Sequence, residues 1–171
     1  MPNIAEEKDI IIIAMDSRYY TWDLILGGYG SDLRSLDMAL QYVFLHCNVD
    51  PKHIALCGFS DGATYALSLG ISNGDLFSHL IGYSPGYVLR SDHLVGKPKI
   101  FISHGNNDYD LPVEGTRDYI VPIFIEMGYD VTYYEFRRGH TISAGVTEKS
   151  LKWFLEALED DSENDEPDTI E

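Results

Sequence analysis

The stretch "ALCGFSDGATYALSLG", from Ala55 to Gly70, places a serine between two glycines, after an apolar run and before a helical pattern. Gly58, Ser60 and Gly62 fit the pattern glycine-x-serine-x-glycine. Between a strand and a helix, this pattern holds a nucleophilic serine at the tip of a sharp turn. The glycines keep Cβ atoms out of that turn. The stretch therefore predicts a nucleophile at Ser60, although a plain glycine turn before a helix has the same pattern.

Strand-like and helix-like segments alternate along the whole chain. Apolar or alternating runs predict strands, and runs with helical spacing predict helices. The alternation predicts an α/β fold, a three-layer α/β/α sandwich with a mostly parallel sheet. The β-branched run "DIIIIAM" predicts a strand buried on both faces. The predicted strands are "DIIIIAM" (9–15), "HIALCGF" (53–59), "HLIGYSPGY" (79–87), "PKIFISHG" (98–105) and "DVTYYEFRRG" (130–139).

Capping and breaking residues locate the helices between these strands. Ser31 is predicted to cap a helix that presents an apolar face. Another helix is predicted after Ser60, and Pro122 is predicted to start or kink a later one that Gly128 ends. The last helix is predicted from Thr147.

Composition and charge restrict the function classes. The chain of 171 residues is predicted to form one domain over residues 1–158 and a disordered tail over residues 159–171, which has eight acidic and no basic residues. The net charge of −16 disfavours nucleic acid or an anionic membrane as a partner. The amino-terminal residues resemble neither a signal peptide nor a membrane span, which predicts a cytoplasmic protein. Cys57 lies in an apolar run and is predicted to be buried and reduced.

A nucleophilic serine needs a base that removes its proton and an acid that orients the base. In a parallel sheet these groups are expected at the ends of later strands, in the order serine, acid, histidine. Asp108 and Asp110 follow the fourth predicted strand, and His140 follows the fifth. His104 also ends a strand and could line the site, but it precedes both candidate acids.

Five segments together resemble the α/β-hydrolase superfamily, and within it the small phospholipase/carboxylesterase (acyl-protein-thioesterase-like) serine esterases. The segments are "TWDLILGGYG", "VDPKHIALCGFSDGATYALSLG", "FSHLIGYSPGY", "ISHGNNDYDLPV" and "GYDVTYYEFRRGHTIS". The resemblance runs from about Ile10 to about Leu158, which is essentially all of the chain except the tail.

The resemblance implies a role for each site residue. Ser60 corresponds to the nucleophile, Asp108 to the orienting acid and His140 to the general base. Asp110 is a weaker candidate for the acid, because the family's histidine-glycine-x-x-aspartate spacing falls on Asp108. The backbone N–H of Asp61 corresponds to one oxyanion donor. The resemblance implies no metal and no organic cofactor.

The chain departs from the family pattern at its front. In related esterases an earlier strand precedes the one matched by "DIIIIAM", and its histidine-glycine-type loop supplies the second oxyanion donor. Only nine residues precede Ile10, and none forms such a strand or loop. We therefore expect an N-terminally shortened member: a truncated product, an isoform or a fragment. A missing strand is expected to leave a sheet edge unpaired, or to let its two neighbours pair directly. An unpaired edge favours self-association.

These observations predict a serine hydrolase that cleaves carboxylic esters or thioesters through an acyl-enzyme on Ser60. Trp22, Tyr29 and Leu111 are weaker candidates for contacts with an acyl chain. The alternative is a catalytically impaired homologue that acts as a binding or assembly protein. A phosphate-binding α/β domain is disfavoured, because neither a lysine-containing phosphate loop nor G-x-G-x-x-G is present.

Overall fold

The computed structural model describes residues 8–89 and 91–162, with side chains up to residue 156. The chain forms two compact units, Met1–Val49 and Asp50–Glu171. A single domain over residues 1–158 stays a prediction.

In the described part of the first unit, residues 8–49, one helix is present, α1 over Ser31–His46, and the loop before it supplies the cap. Ser31 is the first helical residue and Gly30 occupies the cap position, so the predicted serine cap is wrong. Asp23 Oδ2 instead accepts hydrogen bonds from the backbone N–H groups of Gly30 and Asp32, both at 2.8 Å, and of Leu33 at 3.2 Å. A carboxylate binds free N–H groups at a helix start more strongly than a hydroxyl does, which explains the difference.

The segment 9–15 does not form the buried strand that its β-branched residues predict. It adopts no regular secondary structure, and Ile11 and Ile12 are 49% and 55% exposed. A strand buried on both faces needs a ladder partner and covering layers. Among the described residues this segment has no ladder partner, so its intrinsic preference for extended backbone is not converted into a strand.

The second unit contains a parallel sheet of four strands, which lie side by side in the same order as in the chain. The sheet's core is apolar, and it includes Leu80, Ile100 and Ile102, whose exposed fractions are all 0%. The predicted α/β class with a parallel sheet is confirmed. The strands are β1 (Ala55–Phe59), β2 (His79–Tyr83), β3 (Lys99–Gly105) and β4 (Val131–Phe136).

Helices connect these strands. Residues Ala63–Ile71 of helix α2 (Asp61–Ile71) are all buried, which makes α2 the central helix of the unit. Pro122 lies in the first turn of α4 (Val121–Glu126), directly after a π-helical turn over Thr116–Ile120. The helices are α2 (Asp61–Ile71), α3 (Val113–Gly115) with a π-helical turn (Thr116–Ile120), α4 (Val121–Glu126) and α5 (Ala144–Ser162).

Helix α5 extends into the segment that composition predicts as tail. Residues 163–171 lie outside the described residues, so disorder there stays a prediction. None of the helices in the described part of the chain is long and apolar enough to cross a membrane.

Strand β1 lies at an edge of the sheet. It pairs with β2 on one side, and no described residue pairs with its other side. Cys57 is exposed, so its predicted burial is wrong. The apolar run that suggested burial belongs to an edge strand, which lacks a neighbour on one side. Self-association through this edge stays a prediction.

Candidate active site

A sharp turn between β1 and α2 carries Ser60. Its backbone has φ 55° and ψ −120°, one of three positive φ values at non-glycine residues in the described part of the chain. The Ser60 N–H donates to the Tyr83 carbonyl at 2.9 Å, and the Ser60 carbonyl accepts from the Thr64 N–H at 3.0 Å. A backbone in such a region stores about 1–3 kcal/mol and persists only where its surroundings hold it. The hydrogen bonds to β2 and α2 hold this turn.

Gly58 allows α2 to begin very close to the end of β1. A Cβ on Gly58 would lie 2.0 Å from the carbonyl oxygen of Gly62 and 2.6 Å from the backbone nitrogen of Ala63. Both are backbone atoms, so a side chain at position 58 forces the strand and the helix apart. This contact explains physically why a glycine stands before the serine.

We expect Gly58→Ala to lower the free energy of unfolding by about 3 kcal/mol, because overpacking against backbone cannot be relieved by a rotamer change. Urea denaturation followed by circular dichroism measures this change. Gly115→Ala is the matched control, since a Cβ there meets no atom within 4 Å. Equal stability of the two variants would contradict the close approach at Gly58.

Two further side chains reach the turn from the ends of β3 and β4. Asp108 follows β3 in a tight turn, where its Oδ1 accepts from the backbone N–H groups of Asp110 at 3.0 Å and Leu111 at 2.9 Å. His140 lies in the loop between β4 and α5. Because the strands are parallel, the chain delivers all three side chains to the same edge of the sheet.

The three side chains form a continuous chain of hydrogen bonds. His140 Nε2 lies 2.9 Å from Ser60 Oγ, and His140 Nδ1 lies 2.6 Å from Asp108 Oδ2. A carboxylate only accepts, so Nδ1 carries the proton and Nε2 is free to accept from the serine hydroxyl. The ring of Phe59 packs against the His140 ring, with centroids 4.7 Å apart. The arrangement can therefore withdraw a proton from Ser60 and stabilise the resulting imidazolium.

Hydrogen bonds keep Asp108 ionised inside the protein. Burial acts to raise the pKa of Asp108, but the N–H of Leu111, the side chain of His140 and the N–H of Asp110 outweigh it. The pKa of Asp108 consequently lies below its ordinary value. The carboxylate is negatively charged at neutral pH, as the partner of an imidazolium must be.

Asp110 lies in the same turn with an exposed side chain, and its backbone N–H supports Asp108. Ligand atoms of Asp108, Asp110 and His140 all lie within 4.8 Å of one another, so these residues could hold a metal ion. Asp108 and His140 are already joined by their short hydrogen bond, which accounts for much of the proximity of these ligand atoms.

Gly105 brings the loop of His140 against the end of β3. A Cβ on Gly105 would lie 2.4 Å from the Arg138 carbonyl oxygen and 2.5 Å from that of Gly139. The Asn107 N–H donates to the same Arg138 carbonyl at 3.0 Å. The glycine therefore sets the distance between the turn of Asp108 and the loop of His140.

We expect Gly105→Ala to lower kcat for ester hydrolysis by about 100-fold, because a displacement of about 1 Å in a catalytic group has that cost. The variant should remain folded, with the loop over residues 137–140 shifted outward. Steady-state kinetics with p-nitrophenyl acetate measures the effect, and Gly115→Ala provides a glycine control, since a Cβ there meets no atom within 4 Å. An unchanged kcat in Gly105→Ala would contradict the spacing role.

The other predicted site residues are the oxyanion donor Asp61 and the three candidate contacts for an acyl chain. Asp61 is the first residue of α2, so its backbone N–H directly follows the serine. Leu111 is half-buried, and its side chain packs near Gly86. Trp22 and Tyr29 belong to the first unit, where Trp22 is half-buried and Tyr29 is 50% exposed. Contacts of these side chains with a substrate stay predictions.

Comparisons with known proteins agree on the fold. No protein-family model and no curated protein matches the chain. The crystal structure of esterase PE8 matches with a TM-score of 0.63 and 26% identity, covering 72% of this chain and 59% of that one. SOBER1 of Arabidopsis thaliana matches at 0.65 and 18%, covering 74% and 63%. The Bacillus cereus carboxylesterase matches at 0.59 and 25%, covering 74% and 58%.

These matches cover less than two thirds of the length of the proteins they involve. The matched region nevertheless covers 72–74% of this chain, and an α/β-hydrolase fold is consistent with its parallel sheet. A phospholipase/carboxylesterase from Dyadobacter fermentans matches in the same way, with a TM-score of 0.58. This chain has the α/β-hydrolase fold of those esterases.

Proposed function

We propose that this protein is a serine hydrolase that cleaves carboxylic esters through an acyl-enzyme on Ser60. The observation that supports this proposal most strongly is the chain of hydrogen bonds from Asp108 through His140 to Ser60, with distances of 2.6 and 2.9 Å. The similarity to solved esterases adds to it.

The first half of the reaction forms the acyl-enzyme. Ser60 Oγ attacks the ester carbonyl as its proton passes to His140 Nε2, and Asp108 stabilises the imidazolium. The carbonyl oxygen becomes an oxyanion, which the N–H of Asp61 and the start of α2 stabilise. The tetrahedral intermediate then collapses, the C–O bond to the alcohol breaks, and His140 returns the proton to the departing alcohol.

The second half of the reaction releases the acid. Water enters in place of the alcohol, gives its proton to His140 and attacks the acyl carbonyl. Collapse of this second intermediate breaks the bond to Ser60 Oγ, which recovers its proton from His140. The acid leaves and the starting state is restored, so the cycle uses only water as a second reactant.

The substrate class is proposed to include thioesters as well as oxygen esters. The same nucleophile attacks either carbonyl, and a thiol departs more readily than an alcohol. Leu111, which belongs to the same unit as Ser60, is a proposed contact for an acyl chain, because large apolar side chains dominate the lining of small-molecule sites. Comparing acyl chains of increasing length as p-nitrophenyl esters measures this preference.

A catalytically impaired binding protein is the second candidate. The segment 9–15, which forms no ladder with any residue that the structure describes, favours it, because the family pattern places the second oxyanion donor just before the matching strand. Loss of one such donor lowers the rate by about 10²–10³-fold. Such a protein would act as a binding or assembly partner, because acylation and deacylation both pass through an oxyanion and both would be slow.

Stopped-flow mixing with p-nitrophenyl acetate tests the proposal. A serine hydrolase is expected to release a burst of p-nitrophenol, equimolar with the protein, before slower steady turnover. Ser60→Ala is the control and should give no burst. A folded wild-type protein without burst or turnover would contradict the proposal and favour the second candidate, because that candidate forms the acyl-enzyme slowly.

A further inference from the structure

His104 is a second histidine on the Asp108 carboxylate. It lies near the end of β3 with an exposed fraction of 0%. Its Nε2 is 3.1 Å from Asp108 Oδ2, the oxygen that also faces His140, and 2.8 Å from the carbonyl oxygen of Leu111. The proposed transfer of a proton between Ser60 and His140 does not itself involve this residue.

The surroundings of His104 determine which ring nitrogen carries a proton. Asp108 Oδ2 and the Leu111 carbonyl only accept, so Nε2 carries a hydrogen and donates towards both. Nδ1 lies 2.8 Å from Thr116 Oγ1, which lies 3.2 Å from the Pro85 carbonyl oxygen. Both nitrogens are therefore engaged, and the ring cannot turn without breaking buried hydrogen bonds. Breaking such bonds is costly inside a protein.

The two oxygens of Asp108 are held in different ways. Oδ1 is fixed by backbone N–H groups of its own turn. Oδ2 faces two histidines, of which His140 is half-buried in a loop and has to exchange protons during the reaction. His104 belongs to a buried strand, so it is the rigid donor on that oxygen.

We propose that His104 is a positioning residue, which holds Asp108 Oδ2 in line with Nδ1 of His140; this inference rests on the proposed serine hydrolase function. Without His104, the oxygen that orients the base is held only by the base itself. The two backbone N–H groups on Oδ1 still hold one side of the carboxylate, but no fixed donor then holds Oδ2 during the proton transfer. Small displacements of Oδ2 away from Nδ1 of His140 would weaken its hold on the imidazolium, and this raises the barrier of the chemical step.

The expected effect is on kcat rather than on KM, because His104 is buried behind Asp108 and does not face the substrate. We expect His104→Leu to lower kcat by about 10–100-fold. Mutation of the residues that hydrogen-bond to metal-binding histidines and orient them has a cost of this size. KM should stay within about twofold. His104→Gln should recover part of kcat, since its amide N–H can donate to Asp108 Oδ2.

The control is a buried histidine at the other end of the sheet. His79 is the first residue of β2, with an exposed fraction of 4%. His79→Leu also removes a buried imidazole from a core strand, but at the amino end, away from Ser60. It should lower stability without changing kcat.

The experiment combines kinetics with proton NMR of protein labelled with ¹⁵N-histidine. The hydrogen-bonded proton on His140 Nδ1 should give a far-downfield resonance in the wild type. We expect His104→Leu to broaden or remove this resonance and to lower kcat, and His79→Leu to leave both unchanged. A folded His104→Leu variant that keeps both the resonance and kcat overturns the proposal.

The NMR readout needs no turnover, so the two proposals can fail separately. A wild type that shows the resonance without hydrolysing esters contradicts the proposed function, and loss of the resonance in His104→Leu still supports positioning. If His104→Leu does not fold, Thr116→Val replaces it, because this variant frees Nδ1 of His104. A weaker resonance and a smaller fall in kcat then support the proposal, and no change in either overturns it.

Discussion

Ester hydrolysis is expected to fall by about 10⁶-fold in kcat when Ser60 is replaced with alanine, the scale seen for loss of the nucleophile in serine proteases. The reason is that the proposed acyl-enzyme route disappears, while the proposed oxyanion donor, the backbone N–H of Asp61, remains. The residual rate should therefore still exceed the uncatalysed rate. Steady-state kinetics with p-nitrophenyl acetate, with the variant expressed separately from wild type, measures the effect.

Ser84→Ala is the matched control for this variant. Ser84 also has a positive φ, 47°, and it follows the neighbouring strand β2 with an exposed fraction of 1%. His140 Nε2 makes its hydrogen bond to Ser60 instead. A loss in Ser84→Ala as large as that in Ser60→Ala would contradict the assignment of the nucleophile.

Asp108→Asn is expected to lower kcat by about 10⁴-fold with little change in KM. Asparagine keeps the size of the side chain, but its amide allows the His140 ring to adopt the tautomer with a proton on Nε2. That tautomer cannot accept from Ser60. Asp110→Asn is the control, because it alters a carboxylate in the same turn and keeps the backbone N–H that supports Asp108. Equal losses in both variants would contradict the assignment of Asp108 as the orienting acid.

A comparison of the stability of wild type and Asp108→Asn at different pH values tests the ionisation of Asp108. Because the pKa of Asp108 is lowered by folding, its carboxylate stabilises the protein above its ordinary pKa of 3.8. This contribution is lost as the pH falls through the lowered value. The difference in unfolding free energy between wild type and Asp108→Asn should therefore be largest near neutral pH and should narrow as the pH falls below 3.8. A difference that grows with acidity would contradict the direction of the shift.

Local patterns were sufficient to place the candidate residues on the fold. Ser60 follows β1, Asp108 follows β3 and His140 follows β4, as expected from the strand patterns in the sequence. Parallel strands end at one edge of a sheet, so chain order alone predicts that these residues meet there. Their catalytic roles stay predictions.

Other features depend on distant partners and could not be predicted from local patterns. Ser31 has the right composition for a cap, but Asp23 reaches the same N–H groups from a loop. The segment 9–15 has the composition of a buried strand, but among the described residues it has no ladder partner. Cys57 belongs to an apolar run, but its strand lies at a sheet edge.

His104 illustrates a signal that sequence reasoning could have used more fully. It is a polar residue at the end of an otherwise apolar strand, four positions before Asp108. Buried polar groups are hydrogen-bonded in nearly all proteins, so a histidine there needs partners close by. Which partners it finds depends on the turn after β3 and on Thr116, and only the folded chain brings these together.

Peptide mapping after reaction with a fluorophosphonate probe tests the central claim most directly. The probe reacts with a serine only if a neighbouring base activates it. We expect one adduct per chain, located on the peptide that contains Ser60, and no adduct in Asp108→Asn on the same timescale. A folded wild-type protein that takes no label, or takes it on a different serine, would contradict the account.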